Sequence, residues 1–434
     1  MSREMKDSGI KWIGQIPKEA EIVRLRFLTS DYKAGPFGSS LITNNLLPSG
    51  EILVYTPEHV TNKNTESEKG NLYLPEERRE SMKQFSVNPG DIVFPIVGSL
   101  GKAMYIDVSM PNGIINQRLA KFRIKEDSIY IPYFLLLFAD SDIYKPYYEL
   151  NSHGVAVVNI TKDMIKDFPF VVYPKEEQKQ IMRFLDRKCS AIDTAIEKTK
   201  ESIEKLEEYK KAVITKAVTK GLDPNVKMKN SELGWIGAIP ESWSVSKFKY
   251  HTKQKNDRNP GGATVLSLYR EYGIVIKDSR DDNFNRTALD TSAYRYVEVN
   301  DFVVNKMKAW QGSVAVSEYR GIVSPAYYVY DFLDQEINKR YFHYLMRNKA
   351  YTPEYRRLSG GIREGQWDLS EDALNDIKIL IPPMEEQEAI AEYLDSKCAS
   401  IELAIEDKKK QLDTLAEYKK SLIYEYVTGK KEVC

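Results

Sequence analysis

The segment Gly98-Ser99-Leu100-Gly101-Lys102-Ala103 comes nearest to a phosphate-binding loop. Such a loop needs four residues between its glycines, to wrap backbone N–H groups around phosphate, and a Ser or Thr after the lysine for Mg2+. This one is too short, and Ala103 follows the lysine, so it reads as a turn between strands. The histidines, His59, His153, His251 and His343, show no metal-ligand spacing with one another or with cysteine. Glu176, Glu177, Glu385 and Glu386 open helices, where carboxylates complement the dipole. Cys189 and Cys398 fall on apolar seams as small side chains. There is no Gly-x-Gly-x-x-Gly and no Asn/Asp-Pro-Pro-aromatic segment of the amino-methyltransferase kind. Neither an enzymatic activity nor a bound cofactor or metal is expected of this chain.

What the sequence does offer is the side-chain chemistry of nucleic-acid contact. Ser99, Lys102, Asn116, Gln117, Arg118, Lys121 and Arg123 cluster in one region; Lys306, Lys308, Trp310 and Gln311 cluster in another. Ser152-His153-Gly154 and the run from Ser359 through Arg363 and Gln366 to Trp367 form Gly-containing loops at matching places. Arg, Lys, Asn and Gln read base edges, while Lys, Arg and Ser hold phosphates. Taken one by one, each of these also reads as an ordinary solvated surface residue; as contacts to DNA, the candidates are Ser99, Lys102, Gln117, Arg118, Lys306, Lys308, Gln311, Arg363 and Gln366.

Strand ends and turns must position these groups. Asp91–Val97, Lys102–Val108 and Ile115–Ile124 read as strands from their alternation, and Tyr133–Leu150 as an aromatic-rich helix. Asp301–Lys306, Ser313–Ser317 and Ala326–Phe332 read as strands, and Asn338–Leu358 as a helix breaking near Pro353. Thr161 and Ser370 are expected to cap short helices. The strands Phe170–Tyr173 and Ile377–Ile381 follow.

Each block then runs into a long helix. From Pro174 to Thr219 there is no further Pro and no Gly, and Ile181, Leu185, Cys189, Ile192, Ile196, Ile203, Leu206, Val213 and Ala217 recur in steps of three and four. Thr199 and Lys210 are polar gaps in this heptad pattern. Gly221 and Pro224 end it. At about 1.5 Å per residue the rod is roughly 65–70 Å long. The pattern returns at Pro383–Thr428: Glu176-Glu177-Gln178 recurs as Glu385-Glu386-Gln387, and Glu208-Tyr209-Lys210-Lys211 as Glu417-Tyr418-Lys419-Lys420. Trp12-Ile13-Gly14 with Ile16-Pro17 likewise recurs as Trp235-Ile236-Gly237 with Ile239-Pro240. The chain is a tandem duplication of a kept frame around unlike inserts. One seam cannot bury itself, but two in one chain can pair.

Composition sets the bounds. A 434-residue chain, 42% hydrophobic and 29% charged, fits a soluble protein of two or three domains. Its polar start carries no signal-peptide core, its longest apolar run, near 131–139, is far short of a membrane span, and three cysteines make no disulfide framework. A cytoplasmic protein is expected. The formal net charge of zero gives no compositional support for a nucleic-acid partner.

The doubled Trp-Ile-Gly-x-Ile-Pro opening, the doubled Pro-x-Glu-Glu-Gln helix start and the two unlike inserts resemble the DNA-specificity subunit of type I restriction–modification systems. So do Pro89-Gly90-Asp91-Ile92-Val93-Phe94 with the 98–102 turn, and the segment from Asn305 to Gly312. One departure is the 153–158 loop, less polar than usual in the family. The resemblance implies an α+β fold of two mixed α/β target-recognition domains joined by a long antiparallel two-helix coiled coil, with an internal pseudo-two-fold repeat. The recognition domains would span 1–173 and, with a linker, 224–382; the helices would span 174–223 and 383–434. It implies a non-catalytic subunit that reads a bipartite, asymmetric site on double-stranded DNA. The implied partners are two modification (methyltransferase) subunits and restriction (motor–nuclease) subunits, which would bind S-adenosylmethionine, ATP and Mg; no membrane is involved. Recognition elements meeting successive faces of a duplex should lie roughly 34 Å apart or a multiple of that. Rival readings are a coiled-coil scaffold whose inserts bind proteins, and an enzyme of unfamiliar type. A steep salt dependence of DNA binding tells against the first, and absence of methyl transfer by the isolated chain against the second.

Overall fold

The computed structural model describes the chain except residues 1–2, 37–40, 42–44, 98–100, 126–130, 142–146, 148–160, 260, 280–286, 289, 334, 362–366 and 434. It divides into two compact units: Met1–Thr199 with Lys410–Cys434, and Lys200–Lys409.

The first unit opens with a hairpin, β1 (Met5–Asp7) on β2 (Gln15–Pro17), whose turn needs left-handed glycines at Gly9 and Gly14. Strand β3 (Glu21–Arg24) pairs antiparallel with the much later β11 (Pro169–Val172). Between them lies an antiparallel sheet in which β4 (Thr29–Ala34), β10 (Leu119–Ile124), β7 (Asp91–Pro95) and β8 (Met104–Tyr105) are neighbours in that order. A second sheet places β9 (Gly113–Ile115) between β5 (Leu53–Tyr55) and β6 (Ser86–Val87), parallel to the first of these. Strand β7 is buried on both faces: Ile92 and Phe94 pack with Phe122, Phe134 and Phe170, while Val93 packs with Val54, Tyr55 and Ile114. That is the period of two of a strand between two cores.

The second unit repeats the plan. Strands β12 (Met228–Asn230) and β13 (Ala238–Pro240) form the opening hairpin; β14 (Ser244–Lys247) pairs with Lys378–Ile381. Strands β15 (Thr252–Lys255), β22 (Tyr327–Phe332), β19 (Phe302–Asn305) and β20 (Val314–Val316) follow the neighbour order of the first sheet. Strands β16 (Leu266–Tyr269) and β17 (Gly273–Ile276) form a hairpin, and β18 (Arg295–Val297) pairs with β21 (Gly321–Val323). Strand β19 turns Phe302 and Val304 to one core and Val303 to the other, as β7 does. Inserts with little residue identity therefore share the order of their four-stranded sheet, while the smaller sheets differ.

The long helices are Lys175–Lys220 and Met384–Val427. Gly221 ends the first in the left-handed region, its N–H donating to the Ala217 carbonyl. Within the first unit, Phe184 packs on Tyr426 and Lys419 donates to Asp193 (2.5 Å). Within the second, Lys210 bonds Glu402, and Gly221 faces Glu386. In each unit the helix segments run antiparallel. The polar gap at Lys210 thus supplies a pair across the helices. Ile181, Leu185, Cys189, Ile192 and Ala217 are buried, whereas Ile203, Leu206 and Val213 are half-buried.

Two sequence expectations are corrected. Ile115–Ile124 is not one strand: Asn116, Gln117 and Arg118 form a turn between β9 and β10, with Asn116 Oδ1 accepting from the Arg118 N–H (3.0 Å). Lys102–Val108 yields only the short β8. Strands β7, β19, β20 and β22 lie where the alternation puts them. The helix expected over 338–358 is two, Lys339–Met346 and Thr352–Leu358, broken just before Pro353. Of the helix expected over 133–150, Pro132–Asp140 is observed, and most of the remainder lies outside the described residues. Thr161 and Ser370 cap as expected, accepting from the N–H of Met164 and of Ala373 (both 3.3 Å).

Candidate nucleic-acid interface

The described candidates Lys102, Lys306, Lys308 and Gln311 lie at the tip of one hairpin in each unit, between β7 and β8 and between β19 and β20, and Gln117 and Arg118 lie in the turn before β10. Both hairpins are anchored at the other end by a buried carboxylate. Asp91 Oδ2 accepts from the Asn88 N–H (2.9 Å), and Asp301 Oδ2 from the Glu298 N–H (2.7 Å). The intervening residue is left-handed in both, Gly90 at φ 94° and Asn300 at φ 74°. Asp91 is paired with Lys121 (3.2 Å) and Arg123 (2.8 Å), Asp301 with Lys255 (2.8 Å). Burial pushes the Asp301 carboxyl up, against the pull of Lys255. Burial also works against the Lys255 ammonium, but Asp301 outweighs it and holds the pKa up. Lys121 and Arg123, clustered with the candidates in sequence, are thus committed to the hairpin's foot.

At the first tip, the Ile96 N–H donates to the Arg118 carbonyl (2.9 Å), which brings the Asn116–Arg118 turn beside the end of β7. Gln117 and Arg118 are exposed there, and among the described residues no side-chain partner holds the Arg118 guanidinium. Gln117 is not inside a strand, as the alternation implies. Lys102 approaches Asp140 (3.9 Å), which Lys63 also engages. Lys63 was not legible as a member of the site, because its neighbour Asp140 comes from a helix far along the chain. Ser99 lies outside the described residues.

At the second tip, the Lys306 N–H donates to the Ala326 carbonyl (3.2 Å), the counterpart of the contact from Ile96 to Arg118. Ser324 Oγ accepts from the Ala326 N–H (3.3 Å), as Asn116 does for Arg118. Lys308 is exposed and Gln311 half-buried, on a short 3-10 turn, Ala309–Gln311, ended by left-handed Gly312. The Lys306 ammonium lies 3.5 Å from Asp368, and the Leu369 N–H donates to the Lys306 carbonyl (3.0 Å). Ser359–Gly360 pairs with Asp368–Leu369, so these flanks of the Gly-rich segment adjoin the tip. Trp310 and Trp367 meet edge to face at 5.7 Å, and Arg356 lies over Trp367. Arg356 is a further cation here, signalled only by its place one turn before the Gly-rich run. Arg363 and Gln366 lie outside the described residues.

The repeated glutamines are structural clamps. Gln178 Oε1 accepts from the Ile131 N–H (2.9 Å) and its amide donates to the Tyr173 carbonyl (2.6 Å). Gln387 accepts from the Asn338 N–H (2.8 Å) and donates to the Glu336 and Pro382 carbonyls. Glu177 binds Arg3, and Glu386 accepts from the Trp243 indole N–H. Behind the second hairpin, burial drops the partly buried His343 to about 3, aided by the charge of Arg347. Among the described residues no group of three or more His, Cys, Asp or Glu could hold a metal ion, and no helix is long and apolar enough to cross a membrane.

Fold and site together define a duplicated α+β protein with cationic and amide side chains at matching loop tips. The model of the type I restriction modification DNA specificity domain matches residues 36–208 and again 227–414, and the chain belongs to that family. It is 26% identical over 371 residues to the type I restriction enzyme MjaVIII specificity subunit of Methanocaldococcus jannaschii, covering 81% of each. In fold it resembles a chain from a structure of complex assembly and conformational transition of the type I R-M system, with TM-score 0.67 and 13% identity, covering 96% of this chain and 99% of that one. It also resembles the HsdS subunit of Thermoanaerobacter tengcongensis, with TM-score 0.51 and 13% identity, covering 96% and 98%.

Proposed function

We propose that the chain reads a bipartite, asymmetric site on double-stranded DNA, one half-site per unit, as the non-catalytic specificity subunit of a type I complex. Residues 1–173 and 224–382 serve as target-recognition domains. The helices of 174–223 and 383–434 pair along their length and set the spacer between half-sites. Two modification subunits dock on the chain and flip and methylate the target base; motor–nuclease subunits join for restriction. S-adenosylmethionine, ATP and Mg belong to those partners.

One observation carries this reading: the same hairpin frame presents different chemistry in each unit. Where the first unit shows Arg118, the second shows Ala326; where the second shows Lys308 and Gln311, the first has Gly101 and Lys102. Like scaffolds with unlike tips suit two different base sequences. Arg118, Gln117, Lys102, Lys306, Lys308 and Gln311 supply the contacts, with Ser99, Arg363 and Gln366 proposed beside them. The test exchanges residues 251–382 for the corresponding insert of another family member. Methylome sequencing should then show one half of the site changed and the other kept. A change in both halves, or in neither, sinks the assignment.

A further inference from the structure

Each unit leaves a large aromatic ring in water just after the strand that follows its opening hairpin, more exposed than any other described aromatic ring of its unit. Phe27 is 64% exposed and Tyr250 62%. Phe27 sits in the short helix Leu25–Leu28 after β3, and Tyr250 in the 3-10 turn Phe248–Tyr250 after β14. Their neighbours have structural work. Leu25 and Phe248 are buried anchors. Arg24 and Arg26 both pair with Asp167, and Lys247 and Lys249 both pair with Asp376. Lys249, then Lys247, draw the Asp376 carboxyl down to about 2. Phe27 and Tyr250 join neither core of their units; the Lys249 ammonium lies over one side of the Tyr250 ring at 5.8 Å and leaves most of that ring in water.

This feature belongs to the frame, not to the tips. The aromatic ring, the two cations and the shared carboxylate occur twice, although Phe has become Tyr and Arg has become Lys. Surfaces that meet different base sequences differ between the units, as Arg118 and Ala326 do. A surface alike in both meets the same thing twice. DNA phosphate is also the same twice, but phosphate is drawn by unpaired cations, and these cations already hold carboxylates. What is offered is an apolar ring rimmed by hydrogen-bonded ion pairs, the makeup of an anchor in a protein interface.

We propose that Phe27 and Tyr250 are equivalent docking points, one per unit, for two copies of a single partner polypeptide, the modification subunit. The proposal rests on the partner reading given under Proposed function. The full chain is purified with its modification subunit, and bound copies are counted by native mass spectrometry, with affinities from titration. The unchanged chain should carry two. Phe27→Ser or Tyr250→Ser should keep one tight copy and weaken the other at least about tenfold, as loss of an aromatic anchor does. The double variant should weaken both, while Phe27→Tyr and Tyr250→Phe should keep both. A photoreactive phenylalanine analogue at either position should cross-link to the modification subunit, which tests the contact in a chain that keeps its ring. If the unchanged chain binds no modification subunit, the partner reading itself fails. If it binds two, and the serine variants also bind two with unaltered affinity or the probe cross-links to DNA instead, only the docking proposal is overturned.

Discussion

The two hairpins invite comparison at both ends. At the foot, Asp91 and Asp301 cap the same turn and are equally buried, yet their counter-ions come from different strands: Lys121 and Arg123 from β10, Lys255 from β15. At the tip, Arg118 stands where Ala326 stands. The carboxylate is kept because the left-handed turn aims the Asn88 or Glu298 N–H at it, and that N–H needs an acceptor. The cation's origin is free, because any strand within reach can supply one. The tip is under no packing demand, so it can diverge. Constraint in this protein follows burial, and the exposed end of a fixed scaffold is where two specificities can arise.

The largest expected effect is at the foot. Asp91→Ala removes the carboxylate from Lys121, whose side chain is 4% exposed and cannot turn to water. Stability should fall by about 3–5 kcal/mol, as when one member of a buried pair is deleted. Asp301→Ala should cost less, about 1–3 kcal/mol, since the Lys255 side chain is 19% exposed and can reach solvent. Urea denaturation of the full chain measures both; equal losses would mean that the origin of the counter-ion is immaterial.

Next come the clamps. Gln178→Leu and Gln387→Leu should each cost about 1–3 kcal/mol for every buried backbone group left unpaired. Hydrogen exchange should quicken at the N–H of Ile131 in the first variant and of Asn338 in the second, each within its own unit.

At the tips the effects fall on binding. Arg118→Ala should cost about 1–3 kcal/mol and relax one position of one half-site; Ala326→Arg should disturb only the other half-site. Lys308→Ala, if it removes a phosphate contact, should weaken all sequences alike and lower the salt slope by about one. Titrations against site libraries at several salt concentrations separate these outcomes, and a response shared by both half-sites would break the comparison.

The smallest effect is a pH dependence confined to the second unit. His343 is held to about 3, below the ordinary value of about 6.5, so the unfolded chain takes up its proton first. Its contribution is complete above about pH 6.5 and is lost as pH falls toward 3. The effect is moderated because the ring keeps some contact with solvent. His343→Gln should flatten that part of a melting-temperature profile; an unaltered profile would show that the ring already titrates freely in the fold.

The chain itself determined the duplication, the long helices and most of the strands. Heptad spacing at Ile181, Leu185, Cys189 and Ile192, and alternation along Asp91–Pro95, are local records of burial, and local records survive in sequence. The break at Asn116 was open to reading, since an Asn that accepts from the N–H two residues on is a turn former; the apolar residues on both sides masked it. Tertiary structure alone decided the rest. Lys121 and Arg123 look like Arg118 in sequence, but a carboxylate about thirty residues away locks two of them and leaves the third at the surface. Gln178 and Gln387 look like solvated helix-start residues, but the backbone groups they satisfy include partners 47 and 49 residues away. Periodicity reports which face of an element is buried. It cannot report which distant group that face meets, and in this protein that meeting decides which cations are free to touch a partner.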